Sequence, residues 1–377
     1  MEKNPVFTIY TGPLLENYQA LYFLKNILTG ERDSTKHLWN MFQGVSGETP
    51  LYFLKVTHNP ALADFFLLPY SYFSFVGRGG SEARAFVANL SLLAEQYKKK
   101  LLIFCMDDSD DHIPVSNSII FRYSQYGYKK RDNEIITPPY PLHFRSSGLE
   151  QWREKVFKNI TPREKKELPV VGFCGWAGFP SIYRWATYQL RILLADTRQY
   201  IFSDIHAELH KNGIYFRRKA LRALTGASGI KTNFLIRKSY SAQKGIDGKN
   251  TVKPEDAEKE YIENIINSDF VLAPKGHGNA SVRFFESLAL GRFPVLINTD
   301  CELPLRDYID YKKFVVTVDH THVNDAEQAI LDFYNSLSNE EFQKRQQLAR
   351  DAFLLLRPGS FLKITLSELK KKQLGSR

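Results

Sequence analysis

The chain has 377 residues, of which 43% are hydrophobic and 24% are charged, values typical of an ordinary folded protein. Its 27 Phe and 20 Tyr exclude a wholly disordered chain, and its scattered Gly and Pro exclude a collagen-like one. The formal net charge is +10, and the excess is concentrated, because residues 161–240 hold 14 basic and five acidic side chains. A concentrated basic surface favours phosphates, polyanions or anionic lipid headgroups as partners.

Hydropathy and cysteine content bear on location. We expect no transmembrane helix, because no window of about 18 uncharged apolar residues exists. The first ten residues are too short and too polar for a signal peptide. Three widely spaced cysteines, Cys105, Cys174 and Cys301, predict buried free thiols rather than disulfides. We therefore expect a cytoplasmic protein, with peripheral contact at the inner face of an anionic membrane through the basic region and Lys370-Lys371-Lys372.

Short apolar runs alternate with helical stretches in the first part of the chain. Helices are predicted at Leu14–Leu28 and Ser81–Lys99. Continuous apolar strands between helices indicate a parallel α/β sheet. The predicted strands are Val6–Tyr10, Leu51–Val56, Phe65–Pro69, Lys100–Met106 and Ser118–Tyr123.

The alternation restarts after the proline-rich linker Thr137–Pro141 and a charged helix at Leu149–Lys166. The polar segment Gln243–Asp256 is expected to be a surface loop. Ser338 and Glu341 have capping-box spacing and predict the start of the C-terminal helices. The second set of strands is Val170–Cys174, Thr232–Arg237, Asp269–Pro274, Phe293–Asn298 and Phe314–Asp319. We expect three regions: domains at 1–165 and 166–340, then helices at 341–377 that pack back across them.

The most informative segment is a strand, a glycine loop and a helix at residues 269–290. A glycine loop followed by a helix N-terminus is suited to anion binding. Lys275 and Arg283 would add charge-assisted bonds to a diphosphate. Glu286 shares a helix face with Arg283, and a carboxylate there suits ribose hydroxyls. A glycine-containing turn with an exposed Arg–Glu pair remains the simpler alternative.

This segment resembles the signature of the exostosin family of glycosyltransferases, glycosyltransferase family 47. Lys275 stands where the family often has Arg, and Leu305 where Phe is usual. The specific likeness covers about 50 residues and becomes thin outside 268–319. The matching residues are Pro274-Lys275-Gly276, Ser281-Val282-Arg283-Phe284-Phe285-Glu286, Gly291, Pro294-Val295 and Leu303-Pro304-Leu305. Weaker similarities are Ala63–Pro69, Ile135–Tyr140, Val171–Gly175, and the basic pair Arg217 and Arg218.

The resemblance implies a GT-B type fold, with two facing Rossmann-like domains. It implies an inverting, metal-independent transfer from a nucleotide sugar, with a UDP-sugar first among the candidates, to a hydroxyl of a glycan or lipid-linked saccharide. The donor would bind the C-terminal domain and the acceptor the N-terminal one, with no separate cofactor. The expected donor-binding residues are Lys275, Gly276, Gly278, Asn279, Ser281, Arg283, Glu286, Gly175, Arg217 and Arg218.

An inverting transfer needs a general base for the acceptor hydroxyl. Asp107 and Asp108 follow a predicted strand, at the edge where α/β sites form. Asp64 precedes a strand, which is the less favourable edge. Further candidates are Asp110, Asp111, His112 and His143.

The sequence also bears on four other interpretations. An inactive nucleotide- or glycan-binding protein of the same fold is the main alternative. Nucleic acid is not expected as a partner, because no helix-turn-helix, zinc-finger or ribonucleoprotein motif accompanies the charge. The glycine spacing at 172–178 is not that of a dinucleotide loop. His206 and His210 lack a third ligand, so no metal site is expected.

Overall fold

The computed structural model describes residues 6–21, 53–139, 148–179, 181–238 and 252–375. The chain forms two compact units. The first contains Met1–Pro138, Glu302–Leu305 and Leu355–Arg377, and the second contains Pro139–Cys301 and Arg306–Leu354. The predicted division near residue 165 therefore lies inside the second unit. The facing arrangement of the two domains stays a prediction.

Each unit contains one parallel sheet. Every strand pair in both sheets is parallel. The first sheet has the order β2-β1-β3-β4-β5-β6 and the second the order β8-β7-β9-β10-β11. The strands are β1 (Phe7–Tyr10), β2 (Leu54–Val56), β3 (Phe65–Ser71), β4 (Leu101–Cys105), β5 (Ser118–Arg122), β6 (Glu134–Ile136), β7 (Val170–Trp176), β8 (Lys231–Arg237), β9 (Phe270–Ala273), β10 (Phe293–Asn298) and β11 (Val316–Asp319).

The α/β class with two parallel sheets is thus confirmed. The first five strands of each unit have the same spatial order, so one topology occurs twice. All ten predicted strands exist, with ends shifted by a few residues, and β6 is an additional short strand. Cys105 and Cys174 are buried and Cys301 is half-buried, and all three are free thiols.

Helices connect the strands. The described helices are α1 (Tyr72–Gln96), α2 (Glu150–Lys158), α3 (Ile182–Ile201), α4 (Gly213–Leu224), α5 (Pro254–Ile266), α6 (Val282–Ala289), α7 (Ala326–Asn335), α8 (Asn339–Leu356) and α9 (Pro358–Gly375). None of these described helices combines the length and the hydropathy that crossing a bilayer requires.

Several helix predictions need correction. The helix expected from Ser81 begins earlier, at Tyr72, and is kinked at Gly80, where φ is 53°. Residues 14–21 form no helix, and the rest of the predicted Leu14–Leu28 lies outside the described residues. The charged helix α2 is shorter than predicted, because it ends at the cap residue Asn159 and residues 160–166 form no helix. The Ser338 hydroxyl accepts a hydrogen bond from Glu341 N–H at 3.1 Å, as the capping-box spacing predicts.

The strands that flank each topological switch point are paired over a short length. β7 pairs with β8 over seven residue pairs but with β9 over only two, Val171 with Phe270 and Gly172 with Val271. β1 and β3 likewise share two pairs. β3, β7 and β9 continue beyond these contacts toward the carboxyl edge, whereas β1 ends with its last pair, at Tyr10. This leaves room at that edge, which is where ligands bind in open α/β sheets.

An aspartate joins the same strands at their amino edge. Asp269 directly precedes β9, and its carboxylate accepts hydrogen bonds from Val170 N–H at 2.8 Å and from Arg163 Nε at 2.6 Å. Asp64 directly precedes β3, and its carboxylate accepts from Thr8 N–H at 2.9 Å and contacts Lys370 Nζ at 2.7 Å. We call this arrangement the aspartate clasp. It ties the first strand to the third in each unit.

The two clasps differ in burial, and this yields a test. We expect Asp269→Asn to lower the free energy of unfolding by about 3 kcal/mol, because it leaves the guanidinium of Arg163 without its charge partner in a buried site. Asp64→Asn should cost about 1 kcal/mol or less, because its pair with Lys370 is partly exposed to solvent. Urea denaturation of both variants measures the difference. Equal losses would contradict the assignment of the buried clasp as the stronger one.

Candidate functional site

The predicted anion-binding residues lie at the switch point of the second sheet. The carboxyl ends of β7 and β9, the loop Lys275–Ser281 and the helices α4 and α6 meet there. Gly175 lies near the end of β7, and the glycine loop follows β9 after Pro274. The sequence therefore places its candidate residues at the correct edge of the sheet.

Three arginines donate hydrogen bonds to backbone carbonyl groups at and just after the carboxyl end of β7. Arg283 of α6 donates to Cys174 O at 2.8 Å, and Arg217 of α4 donates to Trp176 O at 2.7 Å. Arg218 of α4 donates to Ala177 O at 2.8 Å. A guanidinium has five N–H donors, so these bonds orient each group without exhausting it. The result is a fixed cluster of positive charge at the carboxyl edge.

Arg283 lies between two aromatic rings. Its guanidinium carbon is 4.4 Å from the centroid of Phe173 and 5.7 Å from that of Tyr261. Its Nε is buried and has no hydrogen-bond partner among the described residues. A buried donor without a partner is costly, so this atom is available to an anionic or carbonyl oxygen of a ligand.

Gly175 permits the close approach of Arg283. A Cβ at position 175 would lie 2.8 Å from Nη2 of Arg283, closer than a carbon atom can stand. Any larger residue would therefore displace the guanidinium. Gly175 was predicted as a donor-binding residue, and the structure gives it this spatial role.

Glu286 lies one turn beyond Arg283 on α6 and is completely buried. Tyr261 of α5 donates its hydroxyl hydrogen bond to the Glu286 carboxylate. Burial, together with the negative charge of Glu286, raises the pKa of the Tyr261 hydroxyl well above its usual value. The tyrosine therefore stays protonated and acts as a donor. The carboxylate predicted to bind a ribose already holds one hydroxyl in this structure.

The glycine loop is compact and attached to its neighbours. Gly276 N–H donates to Ala280 O at 2.8 Å, which closes the loop. Asn279 is buried, donating to Asp300 O at 3.1 Å and accepting from the Thr299 hydroxyl at 2.6 Å. Gly278 and Ser281 are also buried, and Ser281 is the N-cap residue of α6. The loop is thus held in one shape before any ligand arrives.

Lys275 has a different environment from the one expected. Its side chain is buried, and Nζ donates to Leu209 O and lies 5.3 Å from the ring centroid of Phe216. The structure therefore places the amine of Lys275 between the backbone of Leu209 and the aromatic ring of Phe216. Its positive charge still lies beneath the loop.

The start of α4 fits against this loop. A Cβ at Gly213, the first residue of α4, would collide with the carbonyl groups of Lys275 and Gly276. Asn212 caps the helix, since its side chain accepts from Ile214 N–H at 3.3 Å. Only glycine allows the helix that carries Arg217 and Arg218 to begin so close to the loop.

The end of α6 follows the sequence prediction. Gly291 has φ 63°, its N–H donates to Leu288 O at 3.0 Å, and Arg292 N–H donates to Ser287 O at 2.9 Å. These two bonds form a Schellman motif. Gly291 is confirmed at the C′ position, where it turns the chain directly into β10.

The candidate general bases lie in the first unit. Asp107 follows β4 at the carboxyl edge, and its Oδ1 accepts from Ser109 N–H at 3.1 Å. Its Oδ2 is buried without a partner among the described residues, and burial raises the pKa of the Asp107 carboxyl. Asp108 is exposed. Asp107 and Asp108 are neighbours because they are consecutive in the chain. Of the two, only Asp107 has a buried carboxylate oxygen without a described partner.

The other candidates differ in position. Asp64 forms the aspartate clasp at the amino edge, about 20 Å from the carboxyl edge, since β3 has seven residues of about 3.3 Å each. The structure does not bring it together with Asp107. Asp110 forms an ion pair with Lys129 at 2.6 Å. Asp111 and His112 are exposed, and His143 lies outside the described residues.

A cavity of about 220 Å³ lies beside Asp107 at the switch point of the first sheet. It is lined by Ser71 from the end of β3, by Met106, the neighbour of Asp107, and by Ser74 and Arg78 of α1. Ser71 Oγ accepts from Met106 N–H at 3.0 Å, so the two strand ends are held together. The cavity thus offers hydroxyl and guanidinium groups, and Asp107 follows one of its lining residues, Met106, in the sequence.

Sequence reasoning missed two contributors to the site. Tyr261 lies on another helix, 25 residues before Glu286, and no spacing rule connects the two. Phe173 lies in the segment Val171–Gly175 that resembles the family, but no role is predicted for it. The available signal is an aromatic residue two positions before a glycine near a strand end. No group of three metal-ligating side chains occurs among the described residues.

The contact of Gly213 with the loop can be tested. We expect Gly213→Ala to lower the free energy of unfolding by about 1–3 kcal/mol, because the new Cβ meets rigid backbone. Gly77→Ala is the matched control, since Gly77 is also helical and its Cβ would meet nothing within 4 Å. The control should be neutral or stabilised by up to about 1 kcal/mol. Thermal or urea unfolding distinguishes the two, and equal behaviour would argue against a tight fit.

Known proteins resemble parts of this chain. The family description Exostosin GT47 domain matches residues 201–332. A probable glycosyltransferase of Arabidopsis thaliana is 33% identical over 73 residues, which are 19% of this chain and 16% of that protein. Exostosin-1c of Danio rerio is 42% identical over 60 residues, which are 16% of this chain and 8% of that protein. The chain therefore matches less than a fifth of the length of these relatives.

Solved structures give a likeness across more of the chain. Anabaena HepE in complex with UDP is 10% identical with a TM-score of 0.32, covering 99% of this chain and all of that one. TarM is 10% identical with a TM-score of 0.30, covering 76% of this chain and 58% of that one. The arginines, the glycine loop and Glu286 all lie within the segment that the family description matches. Residues 201–332 thus match the Exostosin GT47 domain, in agreement with the resemblance of the sequence motif.

Proposed function

We propose that the chain is a glycosyltransferase that moves a sugar from a nucleotide-sugar donor to a hydroxyl of a glycan or lipid-linked saccharide. The observation that carries this proposal is the arginine cluster at the switch point, inside the Exostosin GT47 domain. Three guanidinium groups fixed beside a glycine loop are suited to a diphosphate. UDP is the first nucleotide to test, because the family resemblance favours it.

The donor side supplies charge neutralisation. When the sugar–phosphate bond breaks, the bonding electron pair stays on the diphosphate oxygen. Arg283, Arg217 and Arg218 would stabilise that negative charge, because they are already oriented by backbone carbonyls. The N-terminus of α6 adds its dipole. In this proposal the transfer needs no metal ion.

Glu286 would accept hydroxyl hydrogen bonds from the ribose. Its carboxylate already accepts from the Tyr261 hydroxyl, so the ribose would share or replace that donor. Glu286 is completely buried and lies three residues after Arg283, so the two side chains share one face of α6.

The acceptor side supplies the base. In an inverting transfer, the acceptor oxygen attacks the anomeric carbon from the face opposite the diphosphate, and its proton passes to a carboxylate. Asp107 is our candidate, because one oxygen is buried without a partner among the described residues and the pKa of its carboxyl is raised. The neighbouring cavity would hold the acceptor, with Ser71, Ser74 and Arg78 as its polar contacts.

Nucleotide binding tests the donor side. A thermal-shift panel of UDP, GDP, CMP and their sugar conjugates should identify one nucleotide, which at 100 times its Kd adds about 2.7 kcal/mol of stability. Arg283→Gln should raise the Kd of that nucleotide roughly tenfold or more, because charge-assisted bonds are lost. Glu286→Gln should raise the Kd by a smaller factor and retain the fold.

Arg345→Gln is the control for this panel, because Arg345 pairs with Glu341 on α8 and lies outside the cluster. Its Kd should equal that of the parent chain. A cooperatively melting protein that no nucleotide stabilises would contradict the proposal. Binding without release of UDP from any UDP-sugar would instead favour an inactive binding protein of the same fold.

Asp107 gives a second, independent test. As a base it works only when ionised, so the rate of UDP release should rise with pH through its raised pKa. Asp107→Asn should lower the rate by roughly a hundredfold or more. A matched Asp108→Asn variant should keep the rate within a few-fold, because Asp108 is an exposed neighbour of the same charge.

The stability of Asp107→Asn should change in the direction opposite to its activity. A carboxyl with a raised pKa in the folded state disfavours folding once it is ionised. Asp107→Asn should therefore be more stable than the parent at neutral pH, and this advantage should vanish as the pH falls toward about 3.9, the usual aspartate pKa. Urea midpoints across this pH range measure it. A variant that is less stable at neutral pH would remove the reason for choosing Asp107.

A further inference from the structure

Helix α3 exposes an apolar face. Ile182 is 84% exposed, Leu193 61% and Ile201 69%. With 100° per residue, six of the exposed apolar side chains of α3 fall within an arc of about 120°, and the exposed Trp185 lies outside it. The residues that define this α3 apolar face are Ile182, Tyr183, Leu190, Leu193, Leu194 and Ile201. It continues past the helix end, where Phe202 is 73% exposed.

Such a face differs from the rest of the described surface. The other large apolar side chains exposed among the described residues, such as Leu62 and Leu92, are scattered over separate elements. Scattered exposed leucines are normal, whereas a contiguous apolar stripe on a helix marks a surface that binds something.

A stripe of arginines borders the α3 apolar face. Arg184, Arg191 and Arg198 are spaced by seven residues, so they lie in one row along the helix beside the apolar arc. All three are exposed. Arg184 and Arg191 form no ion pair with another described residue, and Arg198 lies 3.7 Å from Asp204.

α3 itself places little negative charge beside this row. The single acidic residue of α3 is Asp196, and its carboxylate is bound by Lys211 at 2.6 Å on the side that packs against the protein. The helix also carries Tyr183, Trp185 and Tyr200, all exposed. Aromatic rings with one polar end are favoured at the boundary between lipid headgroups and acyl chains.

We propose that α3 is a membrane-binding helix that lies in the headgroup region of an anionic lipid bilayer, with its apolar face toward the acyl chains. Arg184, Arg191 and Arg198 bind lipid phosphates along its edge. An amphipathic helix with leucine and aromatic residues on one face and basic residues beside it has this chemistry. The partner is therefore a lipid surface, because charge complementarity requires a row of negative groups.

A second copy of the chain fits this surface less well. Two copies related by a two-fold axis would pair the helix with itself about its centre, which is close to Arg191. That pairing would bring the two Arg191 side chains, and the two arginine rows, into like-charge contact. A bilayer meets both the apolar arc and the arginine row without that repulsion.

The sequence predicts membrane contact through the basic region 161–240 and through Lys370-Lys371-Lys372, and α3 lies within the first of these. Lys370 is paired with Asp64 at 2.7 Å and Lys371 with Glu368 at 2.9 Å. Paired lysines attract lipid weakly, whereas the arginine row on α3 lies beside apolar side chains that can insert.

Vesicle co-sedimentation tests the proposal with the full chain. Vesicles of pure phosphatidylcholine are compared with vesicles that contain about 30 mol% phosphatidylglycerol. The chain should bind the anionic vesicles and bind the neutral ones much more weakly. Leu190→Gln/Leu194→Gln should weaken binding to anionic vesicles roughly tenfold or more, because two inserting side chains become polar.

The charge component has its own variant. Arg184→Gln/Arg191→Gln should weaken binding to anionic vesicles by about fivefold for each arginine and leave binding to neutral vesicles unchanged. Lys312→Gln/Lys313→Gln removes the same charge from an exposed turn elsewhere, and Leu62→Gln/Leu92→Gln removes two exposed leucines from the first unit. Both controls should bind as the parent does.

Each variant changes exposed side chains, so its melting temperature should match that of the parent. Absence of vesicle binding, or binding that the α3 variants do not reduce, would overturn the proposal. A parent chain that sediments as a dimer, becomes monomeric in Leu190→Gln/Leu194→Gln and ignores vesicles would overturn it in favour of a second copy. None of these outcomes depends on nucleotide binding.

Discussion

The short contact between the first and third strands of each sheet is the constraint on which the rest of the molecule depends. These strands are spatial neighbours, yet another strand lies between them in the sequence, so no direct connection holds them together. Two residue pairs and one aspartate clasp join them at the amino edge. Beyond these two residue pairs the first and third strands no longer pair with each other, and the carboxyl edge carries the candidate site in the second unit and the cavity in the first.

The site in the second unit is ordered by bonds from side chains to backbone. Arg283, Arg217 and Arg218 each donate to a carbonyl group at the end of β7. Such groups are oriented before a ligand binds, and orientation in advance is what makes fixed dipoles and charges effective. The same bonds hold all three guanidinium groups in place at the carboxyl edge of the sheet. Glu286, held by Tyr261, supplies the one buried counter-charge within a helical turn of Arg283.

Much of this architecture could be predicted from local patterns. The apolar strands, the glycine loop, the position of Gly291 and the capping role of Ser338 depend on residues close together in the sequence, and the structure confirms them. The contact of Tyr261 with Glu286 and the burial of Lys275 against Leu209 could not be predicted, because each joins elements that only the fold brings together. Asp64 and Asp107 both looked like candidate bases in the sequence. Their difference arises from strand direction, which places one at the amino edge and the other at the carboxyl edge.

Helix α4 fixes the distance between the glycine loop and the arginines Arg217 and Arg218 in the second unit. Its first residue, Gly213, lies against the carbonyl groups of the glycine loop, and Arg217 follows four residues later, about 6 Å along the helix axis. The helix therefore determines the spacing between the glycine loop and the end of β7. Inserting a single residue between these points would rotate both arginines by about 100° and advance them by about 1.5 Å. The helix and the loop would each survive such an insertion, but the spacing between them would be lost, so this stretch of the chain should tolerate changes of residue far better than changes of length.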